Sequence, residues 1–296
     1  MSFSTKVKDE LCNFKYTKKP CCADAFLTGV LLFSQVFTEE RIVLSSDCKE
    51  FLDRTVASLR KLVGIEVSDI AEFSRAGRIL YKIELTGSTV LHLYEAAHSM
   101  PLSLEEGALI KKCDRAAFLR GAFCAAGYVS EPESSYHLEI DAPDEKLCLL
   151  ITQVSASLGA ELKTAPQRGK KTRAYMKNAD EVFAFLNMLG ASSASLRLME
   201  AKVIKEVRNN INRRVNFETA NLLKTASASA EQIEAIEKIK REKGFEFLPA
   251  HLKELAELRL ENPDMSLAQL GERLSPPLSR SGVNHRLKKL VELSRS

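Results

Sequence analysis

The stretch LRGAFCAAG, residues 119–127, decides how the first two thirds of this 296-residue chain are interpreted. A stretch of the same shape, LTGVLLFSQ, occurs earlier, at residues 27–35. Both are mainly apolar, and both carry a glycine at the third position, Gly29 and Gly121. Because glycine has no side chain, we expect these two positions to let two helices approach closely.

Similar elements follow the two stretches in the same order, about 92 residues apart. Hydrophobic alternation and segment length predict the first set as strands 41–45, 70–73 and 78–85 and helices 49–63 and 88–100. The second set comprises strands 136–141, 160–165 and 173–177 and helices 144–159 and 180–189. We therefore predict two α-β-β-α-β-β-α lobes, 1–104 and 105–200, each a short mixed sheet covered by helices on one face.

The two glycine-containing stretches resemble the helix motif of the LAGLIDADG homing endonucleases. That resemblance implies an acid at the eighth position of each motif, and two such acids hold divalent metal ions where the lobes meet. Here the eighth positions are Ser34 and Ala126. A hydroxyl and a methyl group cannot replace two carboxylates, so we expect no catalytic residues, no metal site and no nuclease activity.

Acids close to the two motifs are the alternative source of carboxylates. Glu39 and Glu40 follow the first motif, and Glu131 and Glu133 follow the second. All four lie five or more residues beyond the required position, past the expected helix end, so we do not expect them to restore catalysis. The chain also lacks an HExxH pattern and a complete phosphate-binding loop. The sequence therefore favours a protein that is not an enzyme and needs no cofactor.

The composition is compatible with a polyanionic partner but does not demand one. The chain has 43 Lys and Arg residues against 39 Asp and Glu, a net charge of +4. It has no run of about 20 apolar residues and no apolar leader, so we expect a cytoplasmic protein without a membrane partner. Its seven cysteines are an odd number and form no CxxC pattern. We interpret them as structural thiols, with metal ligands or disulfides as the alternatives.

Two basic segments are candidate phosphate contacts. The first is the predicted hairpin turn, with Arg168, Lys170, Lys171 and Arg173. An ordinary solvated turn is an equal alternative for this hairpin. The second is the predicted linker, 201–228, which is rich in asparagine and arginine and includes Arg213 and Arg214. Its side chains could contact phosphates or bases, or could instead cap and bridge helices. We expect a flexible joint near 201–230.

The segment 248–294 predicts a helix-turn-helix within a C-terminal domain, 229–296. Pro249 begins one helix and Pro263 ends it, and Ser266 is a predicted N-cap of the next. Ser279 is predicted to cap a last helix whose apolar residues follow helical spacing. These residues are Val283, Leu287, Leu290 and Leu293.

The last helix is the predicted recognition helix. Its first turn can meet base edges while later basic residues meet phosphates. The predicted contact residues are Ser279, Arg280, Ser281, Asn284, His285, Arg286, Lys288 and Lys289. His285 has no second His or Cys close in sequence, so we interpret it as a DNA contact or a cap-like donor and not as a metal ligand. The alternative for this domain is a small helical bundle that contacts protein.

The order of these parts resembles the WhiA family of bacterial regulators. Four stretches carry the resemblance, CCADAFLTGVL (21–31), FLRGAFCAAGYVS (118–130) with SYHLEI (135–140), NRRVNFETANLLKT (212–225) and SLAQLGERLSPPLSRSGVNHRLKKL (266–290). The resemblance implies an α+β fold, with a degenerate two-lobed homing-endonuclease scaffold followed by an all-α helix-turn-helix domain similar to region 4 of sigma factors.

The resemblance also implies a function. We expect a sequence-selective regulator of transcription that binds double-stranded DNA at the nucleoid, with roles in sporulation, cell division or chromosome segregation. A protein co-regulator is a further implied partner, such as the WhiB-like iron–sulfur regulators that some relatives use. No small-molecule substrate is expected. The alternative is a nucleoid or division protein that binds DNA with little sequence preference.

Overall fold

Two units with separate hydrophobic cores make up the structure, a computed structural model that describes residues 1–13, 20–67, 69–105, 107–169 and 171–295. The first unit is Met1–Glu206 and the second is Val207–Ser296. Within the described residues, no helix is both long enough and apolar enough to span a membrane.

The first unit contains both lobes, preceded by α1 (Phe3–Asn13). The first lobe comprises α2 (Pro20–Leu32), β1 (Val36–Phe37), β2 (Arg41–Ser46), α3 (Lys49–Val63), β3 (Ala71–Arg75), β4 (Arg78–Thr86) and α4 (Ser88–Ser99). The second comprises α5 (Lys112–Ala126), β5 (Gly127–Val129), β6 (Leu138–Ala142), α6 (Glu145–Ser157), β7 (Lys163–Pro166), β8 (Thr172–Met176) and α7 (Ala179–Leu189). The predicted α-β-β-α-β-β-α order is confirmed in both lobes, although the short strands β1 and β5 lie outside the predicted strand ranges.

Each lobe contains one four-stranded sheet, and the two sheets have equivalent strand orders, β1-β2-β4-β3 and β5-β6-β8-β7. The mixed sheet expected from the sequence is wrong, because all pairings of the described strands are antiparallel. In the first, Ile42 and Leu44 of β2 lie opposite Leu85 and Ile83 of β4, and all four are buried. The second sheet repeats this pattern in the pairing of β6 with β8. Side chains alternate between the faces of a strand, so one face of each sheet supplies core and the other remains accessible.

The helices α2 and α5 pack against each other through Gly29 and Gly121. A Cβ atom on Gly29 would lie 2.3 Å from the carbonyl oxygen of Phe118, and one on Gly121 would lie 2.1 Å from that of Phe26. The expected close approach of two helices at these glycines is therefore confirmed. The buried residues of both lobes form one continuous cluster around this helix pair.

The helix α8 (Ser192–Glu242) is 51 residues long and includes the whole predicted linker, 201–228. The flexible joint expected near 201–230 is therefore corrected to continuous helix. The physical reason is that the helix contains neither glycine nor proline, and asparagine weakens a helix less than glycine and far less than proline. The domain boundaries at 104, 200 and 228 stay predictions.

The second unit continues from α8 through a short 3₁₀ helix (Phe245–Phe247) to α9 (Ala250–Glu261), α10 (Leu267–Arg273) and α11 (Arg280–Arg295). Ser266 caps α10 with a reciprocal capping box involving Gln269, as the sequence predicted for this N-cap. The core of the unit comprises Ile236, Ile239, Leu248, Leu252, Leu255, Ala256, Leu270, Leu274, Val283, Leu287 and Leu290.

We expect Gly121→Ala to lower the free energy of unfolding of the first unit by about 1–3 kcal/mol, because a methyl group would overlap backbone atoms that cannot rotate away. The chain has no tryptophan, and all six tyrosines precede residue 207, so tyrosine fluorescence in a urea titration follows this unit.

Gly282→Ala is a matched control in the second unit, since the added methyl would meet side chains and no backbone, with Leu278 at 3.3 Å and the Ser279 hydroxyl at 3.7 Å. An unchanged tyrosine transition in the Gly121→Ala protein would contradict the role of the close helix contact.

Candidate nucleic-acid interface

The core of the second unit fixes which face of α11 is exposed. Val283, Leu287 and Leu290 are fully buried and lie at helical spacing along one side of α11. The opposite side therefore projects into solvent. Five of the predicted contact residues are exposed on this side. Arg280 and Ser281 lie in the first turn of α11, and His285, Lys288 and Lys289 lie further along the helix.

The turn before α11 is held by backbone contacts. The Leu278 amide donates to the carbonyl oxygen of Gly271 at 2.9 Å. A Cβ atom on Gly271 would lie 2.1 Å from the Leu278 carbonyl oxygen, so the chain can pass this closely only at glycine. Ser279 immediately precedes α11, and its hydroxyl oxygen accepts a hydrogen bond from the Gly282 amide at 3.2 Å. The predicted capping role of Ser279 is confirmed.

Three of the predicted contact residues have more constrained surroundings. Asn284 and Arg286 are half-buried, and the Arg286 guanidinium donates to the His251 carbonyl oxygen at 3.2 Å. Arg286 therefore helps to join α11 to the start of α9. Ser279 is exposed, although its hydroxyl oxygen accepts the cap bond.

The exposed surface of α11 is strongly basic. Against five basic residues the helix has one acid, Glu292. Arg295 is paired with Glu231 at 2.8 Å, but none of the ion pairs found among the described residues involves Arg280, Lys288 or Lys289. These side chains can therefore approach phosphate without first breaking an internal ion pair.

A buried arginine sets the geometry between α8, α9 and the turn before α10. Arg259 is only 2% exposed, and its Nε and Nη2 donate to the Gln232 side-chain oxygen at 3.0 and 2.9 Å. Its Nη1 donates to the Met265 carbonyl oxygen at 2.7 Å. Burial lowers the pKa of Arg259, yet arginine stays protonated in proteins, so these neutral acceptors must compensate its charge. We did not predict this residue, because its partner Gln232 lies 27 residues away.

The basic hairpin of the second lobe is only partly available. Arg173 forms ion pairs with Asp141 and Glu139, both at 2.6 Å, on the accessible face of the sheet. Hydrogen bonding to Asp141 raises the pKa of Arg173. Arg168 and Lys171 are exposed, whereas Lys170 lies outside the described residues. The two exposed residues are the better candidates for a phosphate contact.

The predicted contacts Arg213 and Arg214 lie on α8 and are exposed. The Nε of Arg214 donates to a Glu218 carboxylate oxygen at 2.9 Å, one helical turn away. Such a pair on an exposed helix surface contributes little stability, so it does not prevent Arg214 from contacting another anion.

The positions where homing endonucleases carry acids face a cleft of about 370 Å³ in the first unit. Ser34 and Ala126 both line it. The Ser34 hydroxyl lies 2.8 Å from the Leu31 carbonyl oxygen and 3.0 Å from that of Val36, so it ends α2 locally. Two acids that no sequence motif indicates, Asp47 and Asp141, also line the cleft.

Both cleft acids already have partners. Asp47 accepts a hydrogen bond from the Thr5 hydroxyl at 2.5 Å. Asp141 accepts from Arg173 and, at 2.7 Å, from the Gln167 amide. Lys8 and Lys171 line the same cleft, so positive side chains balance the two carboxylates.

The four glutamates considered as substitutes for the motif acids lie away from the cleft beside Ser34 and Ala126. Glu131 accepts a hydrogen bond from the Phe3 amide at 2.7 Å, at the start of α1. Glu133 lies 3.6 Å from Arg197 in an exposed ion pair. Glu39 and Glu40 are exposed between β1 and β2. None of the four lines the cleft beside Ser34 and Ala126.

The sequence matches two family models and many curated proteins. Residues 115–208 match a WhiA LAGLIDADG-like domain, and residues 211–294 match a WhiA C-terminal HTH domain. The chain is 37% identical over 306 residues to a probable cell division protein WhiA of Ruminiclostridium cellulolyticum, with 99% of this chain and 97% of that protein covered. It is 33% identical over 316 residues to the protein of the same description from Clostridium botulinum, covering 99% and 98%.

Solved structures give a similar result. Full-length DUF199/WhiA from Thermotoga maritima matches with a TM-score of 0.60 at 25% identity, covering 100% of this chain and 98% of that one. The N-terminal LAGLIDADG domain of DUF199/WhiA matches with a TM-score of 0.50 at 20% identity, covering 64% and 90%, which supports the fold alone.

We expect Arg259→Met to destabilise the second unit by about 1–3 kcal/mol, because the buried acceptors that it now satisfies would lose their donors. Since this unit contains no tyrosine or tryptophan, the loss should appear in the helical circular-dichroism transition and leave the tyrosine-fluorescence transition unchanged.

The exposed Arg241 on α8 provides the control, as Arg241→Met removes the same charge without uncovering a buried acceptor. Equal stability of the Arg259→Met and Arg241→Met proteins would show that the buried network does not hold the unit together.

Proposed function

We propose that this chain, which belongs to the WhiA family, is a DNA-binding regulator of transcription that reads double-stranded DNA with α11. The observation that carries the proposal is the exposed basic face of α11 on a helix whose other face is fully buried. A helix presented in this way can enter the major groove, where base edges distinguish all four base pairs.

The residues of α11 divide into two roles by their position. Arg280 and Ser281 lie in the first turn, which approaches base edges in helix-turn-helix proteins. Lys288 and Lys289 lie two turns further on, where a helix leaves the groove and meets the backbone. The first pair is therefore assigned to sequence selection, and the second pair to phosphate binding that is independent of sequence.

The lobes and α8 add a second, weaker set of phosphate contacts. Arg168, Lys171, Arg213 and Arg214 are exposed, which supports this role. Contacts from a second module raise affinity through effective concentration, without any new sequence selection. A protein co-regulator is the alternative occupant of the lobes.

The proposed activity does not include DNA cleavage. Ser34 and Ala126 provide no carboxylate for a divalent ion, and the nearby Asp47 and Asp141 are engaged by Thr5 and Arg173. Homing endonucleases hydrolyse a phosphodiester with a water that is activated by a metal ion, and free carboxylates hold that ion. The lobes are thus a binding scaffold in this proposal.

The matched relatives are described as probable cell division proteins, and we extend that role to this chain. In this role the protein would bind the nucleoid and regulate genes for cell division. Sporulation and chromosome segregation are further processes that it would regulate. A bacterial DNA-binding protein of this kind works in the cytoplasm.

We expect Arg280→Ala to weaken binding to a selected duplex by about 1–3 kcal/mol, roughly 5- to 150-fold, while binding to random duplex changes much less. The selected duplex is obtained by enriching a random library on the wild-type protein. Fluorescence anisotropy of both labelled duplexes at one salt concentration gives the two affinities.

The variant with both Lys288→Ala and Lys289→Ala should bind both duplexes more weakly, by the same factor. The slope of log affinity against log salt concentration should fall by the amount expected for about two lost phosphate contacts. Arg241→Ala is the control for loss of an exposed charge on the same unit. If the wild-type protein binds selected and random duplexes equally, the chain is a DNA-binding division protein with little sequence preference. If none of these variants changes binding, α11 is not the DNA-binding element.

We expect no nicking of supercoiled plasmid by the wild-type protein in Mg²⁺ or Mn²⁺. Cleavage that persists through purification and disappears in Asp47→Asn or Asp141→Asn would overturn the proposal that the cleft is inactive. Cleavage that survives both substitutions would identify a contaminating nuclease.

A further inference from the structure

The first turns of α2 and α5 bring together four side chains that can bind a metal ion. Cys21 and Cys22 belong to α2, and Cys113 and Asp114 belong to α5. The three sulfur atoms and a carboxylate oxygen all lie within 4.8 Å of one another. Cys22 and Asp114 are buried, and the other two are half-buried.

The four residues are two equivalent pairs from the internal repeat. Cys21 and Cys113 are separated by 92 residues, as are Cys22 and Asp114, and the same interval separates Leu27 from Leu119. Each lobe therefore contributes two ligands from the same position of its own motif helix. A single ion between them would be bound symmetrically by both lobes.

The ligand set and its spacing fit a structural zinc site. Zinc prefers four tetrahedral ligands, and thiolates select it over magnesium or calcium. In such a site, with Zn–S distances of about 2.3 Å, neighbouring ligand atoms lie roughly 3.5–4 Å apart. The distances between the four ligand atoms, at most 4.8 Å, would have to shorten by about an ångström. Rotation of the cysteine side chains about χ1 allows a shift of this size.

The surroundings of Asp114 also favour a cation. This carboxylate is 4% exposed, and none of the ion pairs formed by the described part of the chain includes it. Its side-chain contacts are to thiols, which are weak donors: the Cys113 Sγ donates to its Oδ1 at 3.5 Å, and Cys21 and Cys22 also hydrogen bond to it. A buried carboxylate usually has a cationic partner or several strong donors.

We propose that Cys21, Cys22, Cys113 and Asp114 bind one Zn²⁺ ion that joins the first turns of α2 and α5 and so links the two lobes. All four ligands come from the protein, so the site is closed to substrate and its role is structural. The ion would act at the opposite end of the same helix pair from Ser34 and Ala126.

Binding must release protons. Three thiols become thiolates, so one Zn²⁺ displaces three protons to solvent while the carboxylate binds in its ionised form. A hydrogen bond to Asp114 raises the pKa of Cys21, and burial raises the pKa of Cys22 to about 12. The metal therefore has to compete with protons, and its affinity should fall as the pH is lowered.

The test uses the full chain, purified with a reductant and stripped of metal by chelation. Titration with Co²⁺ should produce thiolate-to-cobalt charge-transfer absorption and the intense ligand-field bands of a tetrahedral ion, saturating at one ion per chain. Zn²⁺ should then displace the Co²⁺ and raise the temperature of the tyrosine-fluorescence transition, because it binds only the folded state.

Cys21→Ser, Cys113→Ser and Asp114→Asn should each weaken binding by at least about tenfold, since loss of even an outer-shell partner costs that much at metal sites. Cys148→Ser is the matched control, a buried cysteine on α6 outside the cluster. It should bind Co²⁺ as the wild type does. Circular dichroism establishes that each variant is folded.

Three results would overturn the proposal. The first is a wild-type protein that binds no Co²⁺ although its thiols are reduced. The second is unchanged cobalt spectra in the combined Cys21→Ser and Cys113→Ser protein. The third is a Cys21–Cys113 disulfide, found by mass spectrometry of the protein purified without reductant, in a chain whose reduced form takes up no metal.

Discussion

The close contact between Gly29 and Gly121 is the constraint on which the first unit depends. Each glycine lies against a backbone carbonyl oxygen of the opposite helix, so the contact is reciprocal and allows no side chain on either position. It makes α2 and α5 the shared centre of both lobes, with equivalent sheets on either side. Because the two helices pack side by side and run in the same direction, their first turns lie together at one end and their last turns at the other. The cysteine cluster and the Ser34–Ala126 cleft are therefore both consequences of one contact.

The second unit is organised by a different principle, the separation of buried from exposed charge. Arg259 is buried among neutral acceptors and fixes the turn that leads into α10, while Gly271 lets the following turn pass against that helix. The acceptors that surround the Arg259 guanidinium are uncharged. Among the described residues, Arg280, Lys288 and Lys289 of α11 take part in none of the ion pairs and are left for an external anion. Arg286, through the His251 carbonyl oxygen, and Arg295, through Glu231, connect α11 to the rest of the unit.

The sequence was sufficient for features that repeat or have a fixed spacing. The 92-residue repeat, the two motif glycines and the caps at Ser266 and Ser279 could all be predicted, because each depends on neighbours in the sequence or on periodicity. Features that depend on a distant partner could not. Arg173 was predicted as a free hairpin charge, although its partner Asp141 lies across the sheet. The sequence favours structural thiols at Cys21 and Cys113 over metal ligands, because only the packed helices bring these residues together.

Without the two motif acids, the lobe cleft lacks the carboxylates that hold catalytic metal ions in homing endonucleases. Two carboxylates at adjacent helix ends repel each other unless cations lie between them, so such a cleft needs metal to be stable. Ser34 instead uses its hydroxyl to end α2, and Ala126 adds no charge. The remaining acids, Asp47 and Asp141, are fixed by protein donors, and Lys8 and Lys171 add positive charge beside them. An ammonium group attracts phosphate as a metal ion does, but it does not lower the pKa of a bound water enough to make hydroxide. Under the proposed function, a cleft of this composition contacts a DNA backbone and leaves it intact.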